Sequence, residues 1–273
     1  MNLRSAAVLL LGVVLLTALV GGGLFAVQAY FTGQSYASSY RYDATIATNA
    51  TLTNATLYLP VPTRDGEPLF DAATVAVERS TPSSDVAVDW NATLVETDRG
   101  PMLALTAAEI EGRPRYVLHE FYPNGTHAGW REIEESEIPA DMTNKKLYVE
   151  PTVYRITVWT SVDDRVDVAA PVSNASVMRP VENVSVGACT PYWDEEDVVC
   201  STYDGRAYAS YRTADDNAVH LSLELAGTNE WGFALSNSFN EFVQRADADL
   251  PGSQSGWVRL DGELHTGLGD ERR

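Results

Sequence analysis

All-β architecture, an antiparallel β-sandwich ectodomain of one large or two small sandwiches behind an N-terminal transmembrane helix, is the fold class that this sequence predicts. Three observations predict it. Residues 6–29 contain no charged side chain. Much of the remaining chain alternates apolar and polar residues with the period of two that a half-buried strand requires. Turn chemistry, such as Asp65-Gly66, Asn124-Gly125 and Pro251-Gly252, punctuates that alternation.

The apolar run comes first. About 20 apolar residues at a helical rise of about 1.5 Å span a hydrocarbon core of about 30 Å. Arg4 precedes the run and the next basic residue is Arg41, so the positive-inside bias places residues 1–5 in the cytoplasm and the bulk of the chain outside. The run exceeds the about 7–15 apolar residues of a secretory signal, which favours an uncleaved anchor. A small-x-small site at Val27-Gln28-Ala29 keeps a cleaved signal as the alternative. Residues 30–39 read as a juxtamembrane linker whose tyrosines suit a headgroup layer.

From 40 to 266 strand signals dominate. Val219, Leu221, Leu223 and Leu225 alternate with His220, Ser222 and Glu224, and Tyr154, Ile156 and Val158 alternate with Arg155, Thr157 and Trp159. Val258, Leu260 and Leu264 alternate with Arg259, Asp261, Glu263 and His265. Further strands are expected at 40–47, 55–59, 74–77, 86–95, 102–105, 115–121, 146–149, 198–203, 207–212 and 231–235. Asp98-Arg99-Gly100 and Asp204-Gly205 read as turns. Short helices are expected at 107–111, 131–136 and 240–245. If the ectodomain is two sandwiches, the boundary falls in the Pro-bearing stretch 170–180, and residues 267–273 read as a frayed tail.

Composition then constrains the solvent. Asp and Glu number 38 against 19 Lys and Arg, and only Lys145 and Lys146 are lysines. In molar salt the Debye length falls to about 3 Å, which screens the self-repulsion of such a surface. The acidity therefore reads as adaptation to solvent. Nucleic-acid binding is disfavoured, because no basic patch interleaved with aromatics is present to neutralise phosphates.

Cys189 and Cys200 form an exported pair close in sequence, most simply a disulfide worth about 3 kcal/mol in the chain-entropy account. Their loop carries Tyr192, Trp193, Asp194, Glu195, Glu196 and Asp197, a constrained turn expected to meet a partner if any single local feature does. Acceptor triplets Asn-x-Ser/Thr begin at Asn49, Asn54, Asn91, Asn124, Asn174 and Asn183, where this composition generates about two by chance, so several are expected to carry glycan.

Catalytic and cofactor motifs are scarce. No His-Glu-x-x-His, Gly-x-Ser-x-Gly or phosphate-cradling Gly-Lys-Ser/Thr pattern occurs, and no cofactor or metal is expected. His119-Glu120 is followed by His127 across a Pro-Asn-Gly turn that breaks helical spacing. The two histidines read as solvent-facing strand residues, although ligands on adjacent hairpin strands are able to meet. Asp247 and Asp249 and the acids of the cysteine loop read as solvated turns rather than Ca²⁺ ligands. Trp159, Trp231 and Trp257 are candidates for a sugar-binding platform, with core or rim packing as the default.

The anchor, the Lys-poor acidic ectodomain and segments such as Asn54-Ala55-Thr56-Leu57-Tyr58-Leu59-Pro60-Val61-Pro62 resemble uncharacterised membrane-anchored surface proteins of halophilic archaea. The resemblance implies an extracytoplasmic β-rich domain and carries no activity with it. The expected function is that of a non-catalytic cell-surface protein held in the membrane by residues 6–29 and binding or assembling with surface-layer or other envelope components in high salt. The alternatives are an extracellular hydrolase or carbohydrate-binding module, and a subunit of a membrane complex or viral envelope protein.

Overall fold

The computed structural model describes residues 36–80, 85–174, 176–187, 189, 198–213, 218–233 and 236–270. The expected anchor 6–29 and the loop 192–197 lie outside them, and among the described residues no helix is long and apolar enough to cross a membrane. Eighteen strands follow in chain order: β1 (Ala37–Thr48), β2 (Leu52–Pro60), β3 (Pro62–Arg64), β4 (Glu67–Pro68), β5 (Val77–Ser80), β6 (Asp85–Ala87), β7 (Asn91–Thr97), β8 (Gly100–Ile110), β9 (Arg115–Phe121), β10 (His127–Ile133), β11 (Lys145–Glu150), β12 (Thr152–Val162), β13 (Val177–Met178), β14 (Glu182–Val186), β15 (Val199–Arg212), β16 (Ala218–Phe233), β17 (Ser236–Pro251) and β18 (Gln254–Gly269).

The all-β, antiparallel class holds. Eleven strands lie in the order β6-β5-β12-β1-β16-β17-β18-β15-β2-β8-β7, and β14 joins as a twelfth by pairing with β15. The sheet curls into a half-barrel. Strands from either side of 170–180 pair within it, β15 with β2 and β1 with β16. Two three-stranded sheets accompany it, β10-β9-β11 and β13-β3-β4.

Alternation decides which face is which. Tyr40, Tyr42, Ala44 and Ile46 of β1, Val219, Leu221, Leu223 and Leu225 of β16, and Leu57 and Leu59 of β2 all point into one buried core. Burying each large apolar side chain stabilises the fold by about 1.5–3 kcal/mol. The concave side is closed by Val61, Phe70, Val166, Val177 and Met178. Two buried amides fasten these covering segments to the sheet. Asn229 Oδ1 accepts from Val166 N–H at 2.9 Å while its Nδ2 donates to Val166 C=O at 2.9 Å. Gln244 does the same to Met178, accepting at 2.8 Å and donating at 3.0 Å. Each amide imitates a strand edge, so backbone groups that the core would otherwise leave unpaired are satisfied.

Several local expectations are corrected. Residues 107–110 belong to β8, 131–133 to β10 and 240–245 to β17, so the expected short helices are strand, apart from one 3₁₀ turn at Glu135–Glu137. In 240–245 Phe242 and Gln244 face inward while Val243 is buried on the opposite face, the alternation of a strand. Asp204-Gly205 is no turn: β15 runs straight through it, with Gly205 opposite Leu260 and a Cβ there 3.3 Å from the Leu260 Cβ. β1 begins at Ala37, inside the expected linker. β18 continues through Gly269, inside the expected tail, because Leu268 is buried with Ala226 and Val243.

Candidate binding face

With the concave face given over to the core, the alternate side chains build a polar outer face. Asp204 of β15 pairs in register with Asp261 of β18, and Asp261 with Asp247 of β17, so three carboxylates stand abreast across three strands. Guanidinium groups interleave with them. Arg259 reaches Asp204 at 2.8 Å and Asp261 at 3.1 Å, while Arg245 reaches Glu224 at 2.9 Å. Asn183 Nδ2 donates to Asp204 Oδ2 at 2.7 Å. These groups apart from Glu224, with Glu263, line an open groove of about 780 Å³. Beneath it, on the core side of the sheet, the Tyr203 ring lies over Gly262; the buried Tyr203 hydroxyl donates to Arg245 C=O at 2.9 Å, and burial pushes its pKa well above the usual phenol value.

An aromatic row continues the same face along β15 and β18. Tyr58 stacks on its register partner Tyr208 at 4.9 Å, Tyr208 meets its other partner Trp257 edge-on at 5.7 Å, and Arg99 lies over Trp257 at 5.0 Å. Farther round the sheet, Arg41 bridges Asp43 at 2.6 Å and Glu224 at 3.0 Å and lies over the exposed Trp159 at 5.6 Å, beside a second groove of about 450 Å³. Trp159, Trp231 and Trp257 do not come together as a platform, in line with the default of separate packing. Trp159 on β12 and Trp257 on β18 are four strand spacings apart, about 19 Å, and Trp231 stacks on Tyr36.

The two cysteines are joined, with Cα atoms 6.1 Å apart. Cys200 is the register partner of His265, a histidine buried although it lies on the outer face. The ligand atoms of Cys189, Cys200 and His265 fall within 4.8 Å of one another, and Glu263 Oε2 is 3.4 Å from His265 Nε2. Val198, at the end of the cysteine loop, packs on the patch formed by Ala226, Val243 and Leu268. Tyr192, Trp193, Asp194, Glu195, Glu196 and Asp197 lie outside the described residues.

Asn49, Asn54, Asn91, Asn124 and Asn183 are exposed, and the side chain of Asn174 lies outside the description. Asn183 differs from the others in that its amide nitrogen, the atom a glycan would occupy, is engaged by Asp204. Asp247 and Asp249 are not turn residues. They share the outer side of β17 with His220 against them, its Nδ1 at 2.9 Å from Asp249. Sequence reasoning missed the carboxylate row. Each aspartate sits unremarkably in its own strand, and only the register of β15, β18 and β17 sets them side by side. Comparison with protein-family profiles, with curated proteins and with solved structures returns no match to this chain.

Proposed function

We propose that the protein is a non-catalytic surface protein, anchored by residues 6–29, whose extracellular domain binds another envelope component through the outer face of the curled sheet. The observation that carries this reading is the division between faces. The inner face is filled by the chain's own core, whereas the outer face presents the abreast carboxylates, their interleaved arginines and an open groove. Openness suits a macromolecular partner, because a shallow charged surface gains specificity and association rate from complementary charge. The sandwich-like closure of the core by β13-β3-β4 and the glycans on exposed sequons belong to the same reading, as does life in molar salt, where this acidic face is screened.

Cross-linking in intact membranes at molar salt tests it. Because the chain has only two lysines, the reagent must couple carboxylates. A stoichiometric partner cross-linked through Asp247, Asp261 or Glu263, or through 194–197, is expected. Recovery of the chain alone sinks the proposal. The same experiment reports whether residues 1–29 remain attached.

The aromatic row favours a second reading, recognition of carbohydrate. Tyr58, Tyr208 and Trp257 offer apolar ring faces beside charged groups that accept and donate hydrogen bonds. Saturable binding to envelope polysaccharide that is abolished by Trp257→Ala, with no protein cross-linked, selects this reading over the first.

A further inference from the structure

The sheet β10-β9-β11 is an insertion between β8 and β12, and its exposed face is unlike the rest of the surface. Arg115, Val117, His119 and Phe121 of β9 share that face with Trp130 and Glu132 of β10 and with Lys146, Tyr148 and Glu150 of β11. Arg115 takes up both acids, reaching Glu150 through Nε at 3.0 Å and Glu132 at 3.5 Å. What remains is an imidazole pair among aromatic rings. The turn at Asn124-Gly125 and the register shift between His127 and Gly129 bring His127 back over β9, and His119 Nδ1 stands 3.1 Å from His127 Nε2.

That distance has a chemical meaning. Two imidazole nitrogens bound to one ion at about 2.0–2.1 Å stand about 2.8–3.4 Å apart when the angle at the metal lies between square-planar and tetrahedral values. The observed separation falls inside the interval, so both nitrogens can reach one ion seated to the side of the line that joins them, once the rings turn to aim their lone pairs at it. The rings are also held. Tyr148 packs edge-on against His119 at 4.7 Å and Phe121 against His127 at 5.4 Å. Both histidines reach solvent, which leaves the remaining coordination positions to water.

We propose that His119 and His127 form a two-imidazole site for a borderline divalent transition ion, with Cu²⁺ preferred over Ni²⁺ and Zn²⁺ by the intrinsic order of affinities. Imidazole separates this site from the many carboxylates of the surface, which suit hard ions such as Ca²⁺ and Mg²⁺. The ammonium of Lys146, seated over Tyr148 at 4.6 Å and in register with His119, is the one cation on this face other than Arg115, and it works against the ion. Lys146→Gln therefore tightens binding.

The test is a calorimetric titration of the full chain, prepared without a polyhistidine tag, with Cu²⁺ in molar KCl and excess Mg²⁺, together with electron paramagnetic resonance of the loaded protein. One ion per chain and a nitrogen hyperfine pattern from two imidazoles are expected. His119→Asn and His127→Asn should each weaken binding by about 100-fold, since the second nitrogen acts at high effective concentration. Both substitutions lie in an exposed pair, and a preserved far-ultraviolet circular dichroism spectrum shows that the loss is local. His220→Asn should bind as the parent does. Binding that survives both single substitutions, that disappears in His220→Asn, or that Mg²⁺ displaces overturns the proposal.

Discussion

The ring of Tyr203 covers Gly262, its register partner on β18, so closely that a Cβ on the glycine would overlap the ring atoms Cζ, Cε1 and Cε2. Phe242 covers Gly227 in the same way across β16 and β17. An aromatic ring laid over a cross-strand glycine packs the bare backbone and helps set the register in a long, curled sheet. Gly262→Ala and Gly227→Ala should each destabilise the fold by about 1–3 kcal/mol through overpacking. Gly129→Ala, where nothing approaches the added carbon, should change stability by less than about 0.5 kcal/mol. Denaturant unfolding of the three variants checks this, and equal losses at all three sites refute it.

The amide of Gln244 holds β13 against the sheet. Gln244→Ala leaves the Met178 N–H and C=O without their side-chain partners inside the core, at a cost of about 1–3 kcal/mol. Hydrogen exchange at Met178 should accelerate more than at Val166, which Asn229 holds independently. Unchanged protection at Met178 would show that the clip contributes nothing.

Glu241 sets a pH dependence. Burial raises its pKa, Glu224 and Glu230 add to the rise, and the Thr228 hydroxyl and Arg41 oppose it. Because the folded-state value lies above the unfolded one, the stability contributed is fully present below the ordinary carboxylate value of about 4.3 and is lost as pH rises through the folded value. Glu241→Gln should therefore be more stable than the parent at neutral pH, with the advantage fading towards about pH 4. An advantage that instead grows on acidification contradicts the sign.

Replacing Cys189 and Cys200 together by serine should cost about 3 kcal/mol, mainly by freeing the unfolded chain. Because Val198 packs on Ala226, Val243 and Leu268, proteolysis within 187–198 should also accelerate. A double variant as stable and as resistant as the parent would remove the disulfide from the account of this surface.

Arg259 bridges Asp204 to Asp261, but Asp261 and Asp247 abreast place like-charged side chains about 4.5–5.5 Å apart at the Cβ atoms, a destabilising arrangement in dilute buffer. The thermal midpoint should rise with KCl up to molar concentration, and Asp261→Asn should flatten that rise. A midpoint independent of salt in both proteins would separate the acidity from the solvent.

Much of the strand content is legible because a strand declares itself locally. Val219 to Leu225 and Tyr154 to Val158 alternate, and their alternate side chains are buried as expected. The failures are equally local in origin. Asp204-Gly205 has turn chemistry, yet β18 and β14 pair with β15 on either side of it and carry the strand through. The stretch 240–245 reads as a short helix, yet β16 and β18 supply its backbone hydrogen bonds.

Composition, the apolar run, the sequons, the cysteine spacing and the period-two pattern are properties of the chain taken a few residues at a time, and the sequence by itself determined them. The carboxylate row, the imidazole pair, the aromatic-on-glycine contacts and the amide clips of Asn229 and Gln244 join residues far apart in sequence or across a turn. Only the tertiary structure decided these. Strand order and register are set by the collective packing of one curled sheet around its core, and a shift of one residue in any pairing would turn every such side chain to the opposite face.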